Sequence, residues 1–256
     1  MLTEVKGLVI RTVDIKESDK LITIFTEQMG VITAMAKGAR SLRSRHLAAT
    51  SLFCYSTFVL YSKGENYWIR ESELHESFFG IRKTVEGLAL AGYILEVICH
   101  AAVSAPDREL LRLSLNSLYA ISSAKYSLSH IKAAFEIRCA SVLGFMPDLL
   151  ACRECGERLG DFFFDIMSAS LTCYSCHKKA EGSLLEENPH ERRVVTILSE
   201  GAKIALGYAT HAPLEKLFSF KISDEDMHLF GIAAESYLLN HLERSFKSLD
   251  FYNSLK

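Results

Sequence analysis

Apolar and polar positions alternate with a period of two through the first third of the chain and recur at helical spacing through the rest. The pattern predicts strands first and helices afterwards. Runs rich in β-branched residues at 7–13, 21–26 and 31–36 read as short strands. Turn signals at Lys16-Glu-Ser-Asp19 and Gln28-Met-Gly30 separate them. Residues 53–61 and 67–70 read as two more strands, joined across Ser62-Lys-Gly-Glu-Asn66. Five short strands before residue 80 suit a small closed barrel, because closure removes the exposed sheet edges that an open sheet would leave. The longest irregular connection, residues 38–50, lies between the third and fourth strands.

Beyond Gly80 the apolar positions change period. Ile131, Ala134, Phe135, Arg138, Cys139 and Val142 fall on an i, i+3, i+4 stripe, as do Met227, Phe230, Ala234, Leu238 and Leu242. Such stripes are core faces of helices. Ser223 is placed to cap the second of these helices, with Asp224, Glu225 and Asp226 in its positive first turn. Residues 88–103, 110–121 and 194–208 predict three further helices. A cysteine-bearing hairpin at about 148–180 interrupts the series. The expected architecture is therefore α+β and multidomain. A β-barrel of OB-fold type occupies residues 1–79, and an all-α domain with an inserted hairpin occupies 80–256.

The composition, 49% hydrophobic and 23% charged over 256 residues, is that of an ordinary globular protein. The richest apolar run, 88–103, is broken by Glu96 and His100 and is too short to span a bilayer. The first ten residues carry charges of both signs and lack the tripartite export pattern. A soluble cytoplasmic protein without membrane association is expected. The net charge of −2 does not mark a nucleic-acid binder, but the charge is unevenly spread. Residues 28–64 hold no carboxylate, although about one residue in eight of the chain is acidic. Four of the five cations in that window are Lys37, Arg40, Arg43 and Arg45.

Two motifs carry candidate chemistry. Cys152-x-x-Cys155 and Cys173-x-x-Cys176 are 17 residues apart, within the range of a tetrathiolate zinc site. Each pair places two sulfurs on one turn, and Gly156 suits a knuckle that bends back toward a metal. One structural zinc ion is the leading reading, since four protein ligands leave no open position for a substrate. Two other readings compete with it. Redox thiols would need a helix N-terminus to lower a pKa, and neither pair is followed by a clear amphipathic helix. Haem attachment would use Cys173-x-x-Cys176-His177 but leaves Cys152 and Cys155 unexplained. His177 is read as a neighbour of the site, and Cys54, Cys99 and Cys139 as buried core thiols. The second motif is the basic connection. On an OB-type barrel, Lys37, Arg40, Arg43 and Arg45, with Arg11 and Lys20, could follow a phosphate backbone, while Tyr67, Trp68 and Arg70 could stack on or contact bases. A merely solvated cationic loop is the competing reading. Phosphate-cradling glycine loops, a Gly-x-Ser-x-Gly elbow and a His-Glu-x-x-His motif are all absent from the sequence, so no catalytic class is suggested.

Taken in order, these segments resemble the RecO family of recombination mediators. The resemblance covers essentially the whole chain. It is carried by Gly7-Leu-Val-Ile-Arg-Thr-Val-Asp-Ile-Lys-Glu-Ser-Asp-Lys-Leu-Ile-Thr-Ile-Phe-Thr26, by Ala36-Lys-Gly-Ala-Arg40, and by Leu143-Gly-Phe-Met-Pro147 ahead of the first cysteine pair. Tyr237-Leu-Leu-Asn-His-Leu-Glu243 followed by Lys247-Ser-Leu249 adds to it. The resemblance implies an N-terminal OB-fold, a helical C-terminal domain with a four-cysteine zinc site, and no enzymatic activity. It implies binding of single- and double-stranded DNA and annealing of complementary strands. It further implies help from RecR in loading RecA onto strands coated by single-strand-binding protein (SSB), whose C-terminal tail would be a partner. Nucleoid association during repair would follow. A zinc-stapled protein–protein adaptor without direct DNA binding is the alternative.

Overall fold

The computed structural model describes residues 1–15, 17–102, 105–183 and 194–255. Lys16 of the first expected turn and Val103 at the end of the first expected helix lie outside the described residues. The chain forms two compact units, one of residues 1–125 with 246–256 and the other of residues 126–245.

In the first unit, strands β1 (Leu2–Ile15), β2 (Asp19–Thr26), β3 (Gly30–Ala36), β4 (Tyr55–Lys63) and β5 (Asn66–Glu76) close a barrel in the order β1-β2-β3-β5-β4. The alternation seen in the sequence becomes its inside and outside. Val5, Val9, Ile22, Ile24, Ile32, Ala34, Phe58, Leu60 and Ile69 fill the interior as one apolar cluster. The longest strand, β1 with 14 residues, serves its two neighbours with different halves. Its first half pairs with β4 and its second half with β2. A register shift between Val9 and Arg11 bends it between the two. Gly7 lies in the overlap, opposite both Thr26 and Ser56. A Cβ there would stand 2.5 Å from Ile24 Cγ2 and 2.8 Å from the Phe25 carbonyl oxygen. Closure is completed by a short parallel contact, Ala34 with Tyr67 and Met35 with Trp68.

The fifth strand is longer than its apolar run suggests, because its polar end continues the pairing with β4 to Glu76, while β4 is only shifted by two residues. The helices of this unit are α1 (Val85–Ala101), α2 (Arg108–Ser123) and α7 (Lys247–Ser254). Thr84 and Asp107 cap the first two, accepting hydrogen bonds from Gly87 N and Leu110 N. Helix α7 docks on α1, where Ser248 N donates to Glu96 Oε2 at 3.1 Å.

The second unit joins helices α3 (Leu128–Val142), α4 (Tyr174–Ser183), α5 (Glu200–His211) and α6 (Asp224–His241) to a four-stranded sheet. The strands are β6 (Asp148–Cys152), β7 (Phe162–Asp165), β8 (Ser170–Cys173) and β9 (Val195–Leu198), in the order β6-β8-β7-β9. Helix α3 is buried well beyond its apolar stripe. Lys132 Nζ lies 2.8 Å from Glu136 Oε1 and 2.6 Å from Glu235 Oε2 of α6, with Glu136 fully buried. Burial opposes the Lys132 charge, but Glu136 and Glu235 outweigh it and raise its pKa. Such a pair survives only because its partners are fixed in place.

Two sequence expectations are corrected here. Residues 194–208 do not form one helix: residues 195–198 form β9 against β7, and α5 starts only after Ser199, whose side chain accepts from Ala202 N. The β-branched run Val194-Val-Thr-Ile197 favours the strand, and its partner lies some thirty residues earlier, out of reach of local periodicity. Cys99 is exposed near the end of α1, whereas Cys54 and Cys139 are buried as expected.

Because the Gly7 site has no room for a methyl group, Gly7→Ala is expected to cost the barrel about 1–3 kcal/mol. Urea unfolding followed at the barrel should show a lowered midpoint, and an unchanged midpoint would mean the β1 overlap is more yielding than its contacts indicate.

Candidate metal centre and nucleic-acid interface

The four cysteines converge from three elements. Cys152 ends β6, Cys173 ends β8, Cys155 sits on the turn after β6, and Cys176 lies in the first turn of α4. The parallel pairing of β6 with β8 sets Cys152 beside Leu171, and the β7–β8 hairpin sets Phe162 beside Cys173. The knuckle after Cys152 closes through Gly156 N to the Cys152 carbonyl at 2.9 Å and Cys152 N to the Glu157 carbonyl at 2.7 Å. Gly156 adopts φ +79°, a conformation that a side chain would resist.

All four Sγ atoms lie within 4.8 Å of one another, with Cys155 and Cys173 at 3.6 Å. Four sulfurs at about 2.3 Å from a tetrahedral zinc would be about 3.8 Å apart, so the cluster fits that ion. The thiols also share charge unequally. Burial pushes Cys152 up, but backbone N–H groups of Cys173, Cys155 and Glu154 and a hydrogen bond with Cys155 bring it down to about 6. Hydrogen bonds with Cys155 and Cys173 push Cys176 up to about 12. A bound dication would hold all four as thiolates.

A helix, α4, begins within the second pair at Tyr174 and carries Cys176, but it has no apolar stripe, so it is not the amphipathic helix that a redox pair would need. Among the described residues His177 is not part of the cluster. Its ring stacks on Phe163, centroids 3.7 Å apart and 14° between planes.

The basic connection, residues 37–54, is an ordered loop laid over the barrel. Gly38 N donates to Asp19 Oδ1 at 2.8 Å and Arg40 N to the Ser18 carbonyl at 3.0 Å. Farther along, Arg45 Nη2 donates to the Arg70 carbonyl at 2.9 Å, and His46 Nδ1 lies 2.8 Å from Ser72 Oγ on β5. Ala39, Ala49 and Thr50 are buried beneath the loop, so its cations turn outward. Lys37, Arg40, Arg43 and Arg45 are all exposed. Arg40 Nε meets Asp14 Oδ2 at 3.3 Å, a largely solvated pair of small energetic weight.

The other two expected cations are placed differently. Lys20 faces Asp14 and Ala36 across the strands, next to the start of the loop. Arg11 lies on β1 opposite Thr23; the Cys99 thiol is raised by partial burial of its sulfur, and the Arg11 charge offsets part of that rise.

The aromatic candidates separate as strand alternation requires. Tyr67 packs against the barrel core, while Trp68 faces outward and meets Tyr61 of β4, ring centroids 6.0 Å apart. Lys37, Tyr61, Lys63, Trp68, Ile69 and Arg70 line a groove of about 590 Å³. Tyr61 was not singled out from the sequence. The signal available for it was cross-strand register: the hairpin between β4 and β5 sets Tyr61 directly opposite Trp68.

A family model described as "Recombination protein O N terminal" matches residues 1–78, and a second, "Recombination protein O C terminal", matches residues 82–250. The chain belongs to the RecO family. It is similar to proteins named DNA repair protein RecO from several bacteria. That of Acetivibrio thermocellus is 34% identical, covering 97% of this chain and 95% of the relative. That of Caldicellulosiruptor saccharolyticus is 30% identical over 98% of both chains, and that of Clostridium novyi is 28% identical over 98% and 93%. The family is one of recombination mediators, and the OB-like barrel and helical part expected from the sequence are present. Among the described residues no helix is long and apolar enough to cross a membrane.

Two outcomes follow from this geometry. With zinc bound, Cys152→Ser or Cys176→Ser should release the metal and lower the melting temperature of residues 126–245. Metal binding in such sites is worth on the order of 10 kcal/mol. A zinc-free variant that melts like the parent would refute a structural role.

His46 supplies the second. Burial first, then the Arg45 cation, lowers its pKa below the ordinary value of about 6.5, with Glu71 acting the other way. The folded state thus favours the neutral ring. The loop anchor is fully present above about pH 6.5 and is lost as pH falls through the lowered folded value. Hydrogen-exchange protection at residues 44–50 should drop between pH 7 and 5 in the parent, and His46→Gln should flatten that dependence.

Proposed function

We propose that the chain is a non-catalytic DNA repair mediator that binds single- and double-stranded DNA and anneals complementary strands. Together with RecR it would help load RecA onto SSB-coated single strands. The observation that carries this reading is the outward row of Lys37, Arg40, Arg43 and Arg45 on a loop tethered to an OB-like barrel. Membership of the RecO family supports it.

A tethered loop presents its cations at small cost in ordering, so phosphate contacts are not offset by the entropy of freezing the chain. Cations that contact the phosphates of two strands reduce the repulsion that slows their pairing. No bond is made or broken and no nucleotide is hydrolysed. The four-cysteine centre, holding one structural zinc ion, would fasten β6, β8 and α4 to each other and so keep the second unit's sheet in register. The C-terminal tail of SSB is the proposed contact of the helical part, and the cytoplasm and nucleoid are the proposed site of action.

The test measures affinity for a labelled single strand across salt concentrations. If about four cations contact the strand, log K should fall against log[salt] with a slope near −3. Arg40→Ala and Arg43→Ala should each weaken binding and flatten the slope by about 0.7. Annealing of bare complementary oligonucleotides should slow in parallel. Unchanged affinity and slope in both variants would remove the loop from the mechanism. Failure of the parent protein to accelerate annealing would favour a protein–protein adaptor.

A further inference from the structure

The groove beside the loop is not simply more cationic surface. Its wall, Trp68, also bounds a second recess of about 680 Å³ on the barrel, lined by Leu21, Met29, Val31, Met35 and the turn residues Gly64 and Asn66. Trp68 therefore stands as a partition between a cationic groove and one of mixed polarity that holds no cation. Strand register explains the alignment. Leu21 pairs with Met35, Met35 with Trp68, and Trp68 with Tyr61, so one row of outward side chains crosses β2, β3, β5 and β4. Tyr61 is 43% exposed and Trp68 half-buried, so the row is open to a ligand at its β4–β5 end. Lys37, Lys63 and Arg70 line the far side, and among the lining residues of the two grooves only Glu65 is acidic.

We infer that this row is a base-contacting subsite selective for unpaired nucleic acid: Trp68 and Tyr61 stack bases while Lys37, Lys63 and Arg70 hold the adjoining phosphates. The inference rests on the nucleic-acid reading above and adds a division of labour to it. Loop cations at Arg40 and Arg43 meet phosphates, which paired and unpaired strands present alike. A tryptophan face can be stacked only by a base that has left its own stack, which a duplex does not offer. The cations on one side only set the direction: charge complementarity places the phosphates at Lys37, Lys63 and Arg70, and the bases at the aromatic row. An extended apolar peptide would use the recess on the other side of Trp68 and leave these three cations unmatched.

Trp68 is the only tryptophan in the chain, so its emission reports on this row alone. The full-length protein is titrated with a fluorescein-labelled oligothymidylate and, separately, with a labelled duplex of the same length. Label anisotropy reads binding, and an unlabelled set reads tryptophan quenching. Saturable quenching by the oligothymidylate, with little by the duplex, is expected. Trp68→Ala should weaken single-strand binding by about tenfold and leave duplex binding nearly unchanged. Trp68→Phe should restore most of the loss, which separates stacking from a folding defect. Tyr61→Ala should lower single-strand affinity in the same direction, and Tyr61→Phe should not.

Single-strand binding without quenching, and at parental affinity in Trp68→Ala, would overturn the subsite while leaving the loop reading in place. Equal losses for single strand and duplex would also overturn it, by removing the selectivity. Quenching by an apolar peptide but not by the oligonucleotide would reassign the row to a protein partner. Failure of the parent to bind either nucleic acid would sink the underlying function instead, and the subsite with it.

Discussion

The proposed nucleic-acid face depends on how β5 closes the barrel onto β3. Only two residue pairs make that parallel contact, Ala34 with Tyr67 and Met35 with Trp68. Because side chains alternate across a strand, placing Tyr67 inward against the core forces Trp68 outward. A slip of one residue would exchange the two and bury the tryptophan. The register is held from the other side by β4, whose Leu60 and Phe58 fill the interior and whose Tyr61 is thereby left outside opposite Trp68. The apolar interior thus chooses which aromatic groups reach solvent, although none of the exposed ones contributes to it.

The same barrel disciplines the basic loop. Acid-free stretches with clustered arginines are usually mobile, since like charges repel and favour extended chain. Here the loop is tied at its start to Asp19 and Ser18 and at its middle to β5 through Arg45 and His46. Ala39, Ala49 and Thr50 give it a buried underside. Its cations are therefore displayed on a fixed frame rather than carried by a tether. Two kinds of recognition group come together in this way: a row of guanidinium and ammonium groups from the loop, and an aromatic pair from the β4–β5 hairpin, with Lys37 common to loop and groove.

In the second unit the comparable constraint is a short sheet that must satisfy two faces. Phe162, Phe164, Leu171 and Leu198 are buried, and Phe164 meets Tyr237 of α6 at 5.4 Å between centroids. At the end of the sheet lie the four clustered thiols, where a bound metal would add the cohesion that a larger core provides. The buried Lys132–Glu136–Glu235 group adds a different sort of constraint. Its members stabilise little as a set, but each is costly to remove singly, so α3 and α6 are held in one alignment.

Much of this was legible along the chain, and the limits of legibility have a common cause. Local alternation is enough to announce strands such as 21–26 and 31–36, and the cysteine spacing announces a four-thiolate centre, because both depend on residues within a few positions of each other. Ser223 capping α6 is of the same kind. What required the tertiary structure was every feature decided by a distant partner. Residues 195–198 became a strand because β7 offered an edge. Lys132 and Glu136 were buried because α6 brought Glu235 to them. Tyr61 joined Trp68 by hairpin register, and Arg11 was set opposite Thr23 of β2, with its charge acting on Cys99 of α1. The sequence by itself determined the barrel strands and most of the helices, the four-cysteine set and the local excess of positive charge at 28–64. Which side chains face outward together was decided only by closing the barrel, since strand register is a property of pairs and not of any one segment.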